Sequence, residues 1–287
     1  MWLRRAIALC ALAIVTLVVV LVIRHPGGSS PASAPTATPT ASATPHKPRA
    51  SKPRAIAEIS GAKARRAAVP ILMYHVISRA PAGVANAELW VDQGVFAQEM
   101  QALKAKGYTA VTLQQAWDGW KHGGPLPRKP VVVSFDDGYL SHYTHAKPVL
   151  RKLDWPGVLF LTIHNIGAGG LTEHQVRSLL HAGWEIDSHT LTHPDLPSLD
   201  DTALQHELVD SRAQLQQRFG VKADFFAYPA GRYDARVESA TKAAGYTAAT
   251  TVEPGIASRH DDPFALHRVR VNASDTSATL LARLAGG

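Results

Sequence analysis

Residues 130–163 read PVVVSFDDGYLSHYTHAKPVLRKLDWPGVLFLTI. An apolar run, Pro130–Asp136, is closed by Gly138. A helix-compatible stretch, Tyr143–Leu153, follows, and a second apolar run, Val158–Ile163, comes next. Continuous Val- and Leu-rich runs separated by a helical pattern are the mark of parallel strands covered on both faces. Pro148 lies within the helical stretch and leaves its start undefined.

The same alternation extends in both directions. Upstream, the sequence predicts a strand at Val69–Ile77, a helix at Phe96–Lys106, a short strand at Tyr108–Val111 and a helix at Leu113–Lys121. Downstream, it predicts helices at Thr172–Ala182, Asp200–Phe219, Arg236–Ala244 and Thr276–Leu284. Strands are predicted at Trp184–Ser188, Phe225–Tyr228, Tyr246–Thr250 and Ala265–Val271. Gly107, Gly183, Gly220 and Gly245 follow helix ends, where a left-handed C-cap is needed. About seven strand–helix units over residues 69–287 imply an α/β fold, a parallel sheet closed into an irregular (β/α) barrel. Chemistry in such folds gathers at the C-terminal ends of the strands.

The chain has 287 residues, 46% of them hydrophobic, enough to bury a core, and a single cysteine. That excludes an intrachain disulfide framework and any cysteine-rich zinc site, so a metal must be held by His, Asp or Glu. The net charge of +7 is unevenly spread: residues 1–68 carry +9 and residues 69–287 carry −2. The globular part is therefore no nucleic-acid reader. The basic tail suits anionic lipid or wall polymer.

Arg4 and Arg5 precede an uncharged run, Ala6–Ile23, then Arg24. A helix of this length approaches a bilayer core of ~30 Å. Residues 1–25 read as an uncleaved signal anchor with a cytoplasmic N-terminus, and thus as a transmembrane helix. Cleavage would instead release the protein; either way, everything downstream is exported. Cys10 reads as a membrane-facing side chain. Residues 26–68, rich in Pro, Ala, Ser and Thr and basic in their second half, read as a disordered linker. Residues 69–287 then form the globular domain.

Four polar clusters follow predicted strands. In Ser134–Gly138, two adjacent carboxylates, Asp136 and Asp137, end a strand; a break at Asp137-Gly138 would let both face one pocket. In Ser188–His193, two histidines four apart can share one metal. One carboxylate with two imidazoles leaves positions open for water, as in a hydrolytic centre. Phe225–Tyr233 runs from apolar residues into a Pro/Gly turn that can aim a backbone N–H at an oxyanion. In Ala265–Arg268, His267 is either a general acid or a structural histidine.

In this order, the segments resemble the polysaccharide deacetylases of the NodB-homology group, carbohydrate esterase family 4. Val69–His75 is similar to the opening strand of the poly-N-acetylglucosamine deacetylase-like branch. Ser134–Gly138, His189–His193 and Phe226–Gly231 are similar to its first three motifs. The resemblance covers about residues 69–271. It implies a deformed NodB-type barrel and metal-dependent removal of acetyl groups, foremost the N-acetyl of N-acetylglucosamine units. The substrate would be an extracytoplasmic polysaccharide such as an N-acetylglucosamine polymer or peptidoglycan. Carried over by position, Asp136 would be the general base, and Asp137, His189 and His193 would hold a divalent metal, zinc being the usual one. The backbone of Ala230 would stabilise the oxyanion, and His267 would protonate the leaving amine. Tyr74 and His75 either line the pocket, or Tyr74 belongs to the core and His75 hydrogen-bonds behind the pocket; Tyr228 and Tyr233 are candidates to stack on a sugar.

The family's widespread third motif has an arginine that orients the base. Here that place is Ala227, and no acidic-tryptophan fourth motif is visible. Arg268 or Arg270 is the expected replacement beside Asp136. A catalytically weak, metal-containing glycan-binding module at the cell surface is the competing function.

Overall fold

The computed structural model describes residues 57–167 and 169–286. Seven strands form its centre: β1 Ile71–Tyr74, β2 Pro130–Asp137, β3 Val158–Leu161, β4 Glu185–Ser188, β5 Phe225–Ala227, β6 Ala248–Pro254 and β7 Leu266–Arg270. Each pairs in parallel with the next along the chain, and β7 pairs with β1, which closes the barrel. Thr109–Ala110 adds a further parallel pairing outside β2.

Alternation along the strands sorts the core into two layers. Ile71, Val132, Val158, Phe160, Phe225, Ala227, Ala248 and Leu266 form one buried cluster drawn from six strands, the barrel interior. The intervening Leu72, Val131, Val133, Phe135, Leu159 and Leu161 pack outward, with helical residues such as Phe96, Met100, Leu150 and Leu179. Those residues come from α1 Gln93–Ala105, α3 Lys147–Lys152 and α4 Glu173–His181; α2 is Leu113–His122. Capping boxes at Thr112/Gln115 and Thr172/Gln175 start α2 and α4.

The predicted helix at Asp200–Phe219 is Asp201–Gln205 and Ser211–Phe219 joined by a π turn, His206–Asp210. A second π turn, His142–Ala146, precedes α3, where Pro148 occupies the first turn, a position that needs no N–H donor. The last two helices are Ala235–Ala243 and Ser277–Ala285.

Regular structure is already present before Val69, inside the segment expected to be linker. Glu58–Ile59 pairs antiparallel with Leu126–Pro127, Ala64 is buried, and the Trp120 indole N–H donates to the Ala67 carbonyl at 2.8 Å. Trp120 and Leu126 offer apolar surface that the composition of residues 57–68 alone does not reveal. Among the described residues, no helix is long and apolar enough to cross a membrane. The anchor expected at residues 1–25 and the linker up to residue 56 lie outside the described residues.

Candidate active site

The inward row of β2 runs Val132, Ser134, Asp136, so Asp136 stands at the C-terminal end of the barrel interior. On β7 the inward row is Leu266, Arg268. The two rows converge: Arg268 donates from both terminal nitrogens to the two oxygens of Asp136, each at 2.8 Å. Both side chains are about 1% exposed, and Arg268 Nε–H donates to the Thr251 carbonyl at 2.7 Å. A bidentate guanidinium fixes a carboxylate in plane as well as in position. Burial alone would raise the Asp136 pKa, but the Arg268 charge, then His189 and His75, hold it well below the usual carboxylate range. Of the two expected arginines, Arg268 is the one that takes the place beside Asp136.

Asp137 would face away from Asp136 in an unbroken strand. Its φ of 76° turns it back toward the same cavity, and Gly138 continues the turn at φ 99°. The Asp137 Oδ1 lies 3.5 Å from His189 Nε2 and 3.6 Å from His193 Nε2. The three ligand atoms fall within 4.8 Å of one another. Zinc bonds of ~2.0–2.1 Å set tetrahedral ligand separations of about 3.3–3.4 Å, so these residues fit a divalent cation after small adjustment. The buried His189 supports this fit. Its Nδ1–H donates to the Ala227 carbonyl at 2.7 Å, which leaves Nε2 unprotonated toward Asp137. Burial lowers the His189 pKa and keeps the imidazole neutral, as a metal ligand must be.

These groups line one cavity of about 420 Å³, together with His75, Ala230 and Arg270. Its walls hold several backbone outliers. Asn86, Asp137, His193 and Ala230 line it with positive φ, and Thr190 sits between the two histidines at φ 71°. Residues held this way concentrate where loops must aim side chains. Ala230, at φ 52° in the turn Pro229–Gly231, is where an oxyanion-stabilising backbone is expected.

Other expected residues land elsewhere. His267 belongs to the outward row of β7. Its Nδ1 pairs with Asp261 at 2.9 Å, and it does not line the cavity, so the role of proton donor to the leaving amine does not suit it. Period-two alternation decides this: if Arg268 points in, His267 points out. Tyr74 is fully buried, donates to Glu99 at 2.9 Å and packs on Phe96 and Phe135; it belongs to the core. Tyr228 forms part of the cavity wall, but its ring is buried and stacked on Tyr233 at 4.5 Å. Tyr233 does not line the cavity. Of the two residues ending β1, His75 is the one at the site, its Nε2 3.9 Å from Asp136 Oδ2. Burial lowers its pKa to about 4, so it is neutral at neutral pH.

Sequence reasoning missed three contributors. The segment Asn86–Leu89 lines the cavity from a loop with no polar motif. Asn165 donates to the Asp137 carbonyl at 3.0 Å. Glu207 grips the loop that carries both histidines. An acid on the apolar side of a helix, spaced from Leu204, Leu208 and Ser211, was the available signal.

A polysaccharide deacetylase family model matches residues 123–249. The Bacillus subtilis protein YxkH, named for that family, is 35% identical over 207 residues, 72% of each chain. A poly-β-1,6-N-acetyl-D-glucosamine N-deacetylase of Staphylococcus epidermidis is 25% identical over 204 residues, 65% of this chain and 69% of its own. The solved deacetylase PplD of Streptococcus pyogenes, in complex with acetate, superposes with a TM-score of 0.72 at 28% identity. The match covers 76% of this chain and 98% of that one.

Proposed function

Because this chain belongs to the polysaccharide deacetylase family, we propose that it hydrolyses N-acetyl groups on N-acetylglucosamine units of a cell-envelope polysaccharide. One observation carries the reading: a carboxylate locked by Arg268 stands in the same cavity as an Asp-His-His ligand set. The altered third motif is the motive for the competing reading, a weak glycan-binding module. The Arg268–Asp136 pair removes that motive, since the base is oriented from another strand. Similarity to a poly-N-acetylglucosamine deacetylase supports the choice of bond, and the acetate bound to PplD is the expected product.

A divalent cation held by Asp137, His189 and His193, with zinc our preference, would polarise the acetyl carbonyl and acidify a water. The chain supplies the rest. Asp136, ionised at neutral pH, accepts the proton of the attacking water. That water's oxygen bonds to the acetyl carbon, the C–N bond breaks, and the nitrogen takes up a proton to leave as an amine. His75, the neutral imidazole facing the cavity beside Asp136, is placed to pass to that nitrogen the proton that Asp136 has taken from the water. Ala230 is placed for the oxyanion. The anchor read at residues 1–25 supports a membrane-tethered, extracytoplasmic enzyme; a cleaved leader would make it secreted.

The test is release of acetate and free amine from N-acetylglucosamine oligomers and from peptidoglycan. It compares wild type, Asp136→Asn, and chelator-treated protein with zinc restored. Release that vanishes in both controls and returns with zinc is expected. No release from any acetylated polymer, by protein that still binds a metal through His189 and His193, would refute the reading.

A further inference from the structure

The segment Ser188–His193 must turn two imidazoles toward one carboxylate within six residues. It does so with Thr190 at φ 71° and His193 at φ 60°. Left-handed backbone at a β-branched threonine is uncommon and persists only where the surroundings hold it. The holding groups are visible. His193 N–H donates to Thr190 Oγ1 at 2.9 Å. Between the histidines, Leu191 N–H and Thr192 N–H both donate to Glu207 Oε2, at 2.8 and 3.0 Å, and the Thr192 hydroxyl donates to Glu207 Oε1 at 2.6 Å.

Glu207 is 7% exposed, sits in the π turn His206–Asp210 and does not line the cavity. It therefore acts on the site only through the loop. Three donors converge on its two oxygens. That arrangement suits an ionised carboxylate, which only accepts; an amide would point an NH₂ at an N–H or a hydroxyl. Two consecutive amides fixed midway between His189 and His193 set where both rings start.

We infer that Glu207 is a positioning residue whose carboxylate sets the His189–His193 geometry for the cation. The inference rests on the Asp137–His189–His193 reading above. The full chain is titrated with Zn²⁺ against a chelating dye, and with Co²⁺ while following its visible absorption. Wild type is compared with Glu207→Gln, Glu207→Ala, Asp137→Ala and Leu204→Ala. Leu204 is buried in the same helical segment and makes none of these bonds. Glu207→Gln is expected to weaken Zn²⁺ binding about 10- to 100-fold and to change the Co²⁺ spectrum. Amide exchange at Leu191 and Thr192 should also speed up in the metal-free protein. Leu204→Ala should lower Tm yet bind Zn²⁺ within about threefold of wild type. The inference is overturned if wild type binds tightly and Glu207→Gln matches it with an unchanged spectrum. It is also overturned if Leu204→Ala weakens binding as much as Glu207→Gln does. Wild type and Asp137→Ala binding equally weakly is a separate signature, which removes the metal reading and this inference together.

Discussion

Replacing Arg268 by Ala leaves Asp136 in a buried site without its counter-charge. Both members of the pair are about 1% exposed and joined by two 2.8 Å bonds, so solvent screens them little. Removing one partner of such a pair costs about 3–5 kcal/mol, because the other charge stays buried and uncompensated. Against a total stability of roughly 5–15 kcal/mol, that is a large fraction of what holds the fold. The pH dependence gives the sharper test. In wild type the folded pKa of Asp136 is depressed. Its stabilisation is therefore present above the unfolded value of about 3.9 and is lost as pH falls through the folded value. Without Arg268, burial dominates and the folded pKa rises above that of the unfolded chain, so Asp136 then costs stability as pH climbs. Near neutrality the imidazoles of His75 and His189, whose pKa values burial lowers, carry no charge and do not substitute for Arg268. Denaturant unfolding of both proteins from pH 3 to 7 should show a gap already present at pH 3, from the wild-type stabilisation, that widens further above about pH 4 as the variant's buried carboxylate ionises. The acid limb of the deacetylation pH profile should shift upward in parallel. Arg268→Lys should recover part of the stability but not the bidentate alignment. A gap below about 1 kcal/mol, independent of pH and with an unchanged activity profile, would refute the reasoning.

Three further outcomes are expected. His267→Gln should keep activity within about threefold, because the side chain faces Asp261 outside the barrel; a tenfold loss would return it to the mechanism. His75→Ala should lower kcat by about 10²-fold or more with a smaller change in metal affinity; unchanged kcat would take the proton-delivery role from it. Gly231→Ala should lose about 1–3 kcal/mol, measured by unfolding, along with much of the activity. Its φ is 70° and a new Cβ would collide with Val252; wild-type stability would show that the turn has room.

The strand order and nearly every helix could be read from the alternation of apolar runs and helical patterns, because the barrel buries each strand on both faces. The candidate ligand cluster was legible for a related reason: Asp136-Asp137-Gly138 and His189–His193 are local in sequence. The Arg268–Asp136 pair joins residues 132 positions apart, and only the shared inward face of β2 and β7 connects them. His267 shows the converse. A histidine at a strand end looked catalytic until the register of Arg268 turned it outward. Tyr74 and Tyr228 show a third limit: aromatic residues beside a site are as useful for packing its walls as for meeting a sugar. Nothing local marks residues 57–68 as ordered, since their partners, Trp120 and Leu126, lie over 50 positions away.

The two π turns have a consequence for comparing relatives. Each widened turn carries one residue more than an α turn, and each presents groups that hold a segment of the site: His142 and His145 reach the carbonyls of His75 and Ile77, while Glu207 reaches the histidine loop. Deleting one residue from either turn would restore α geometry and swing the flanking helical face by about 100°. A relative whose alignment opens a one-residue gap within 142–146 or 206–210 should therefore fasten the matching segment with different side chains, even where every cation ligand is retained.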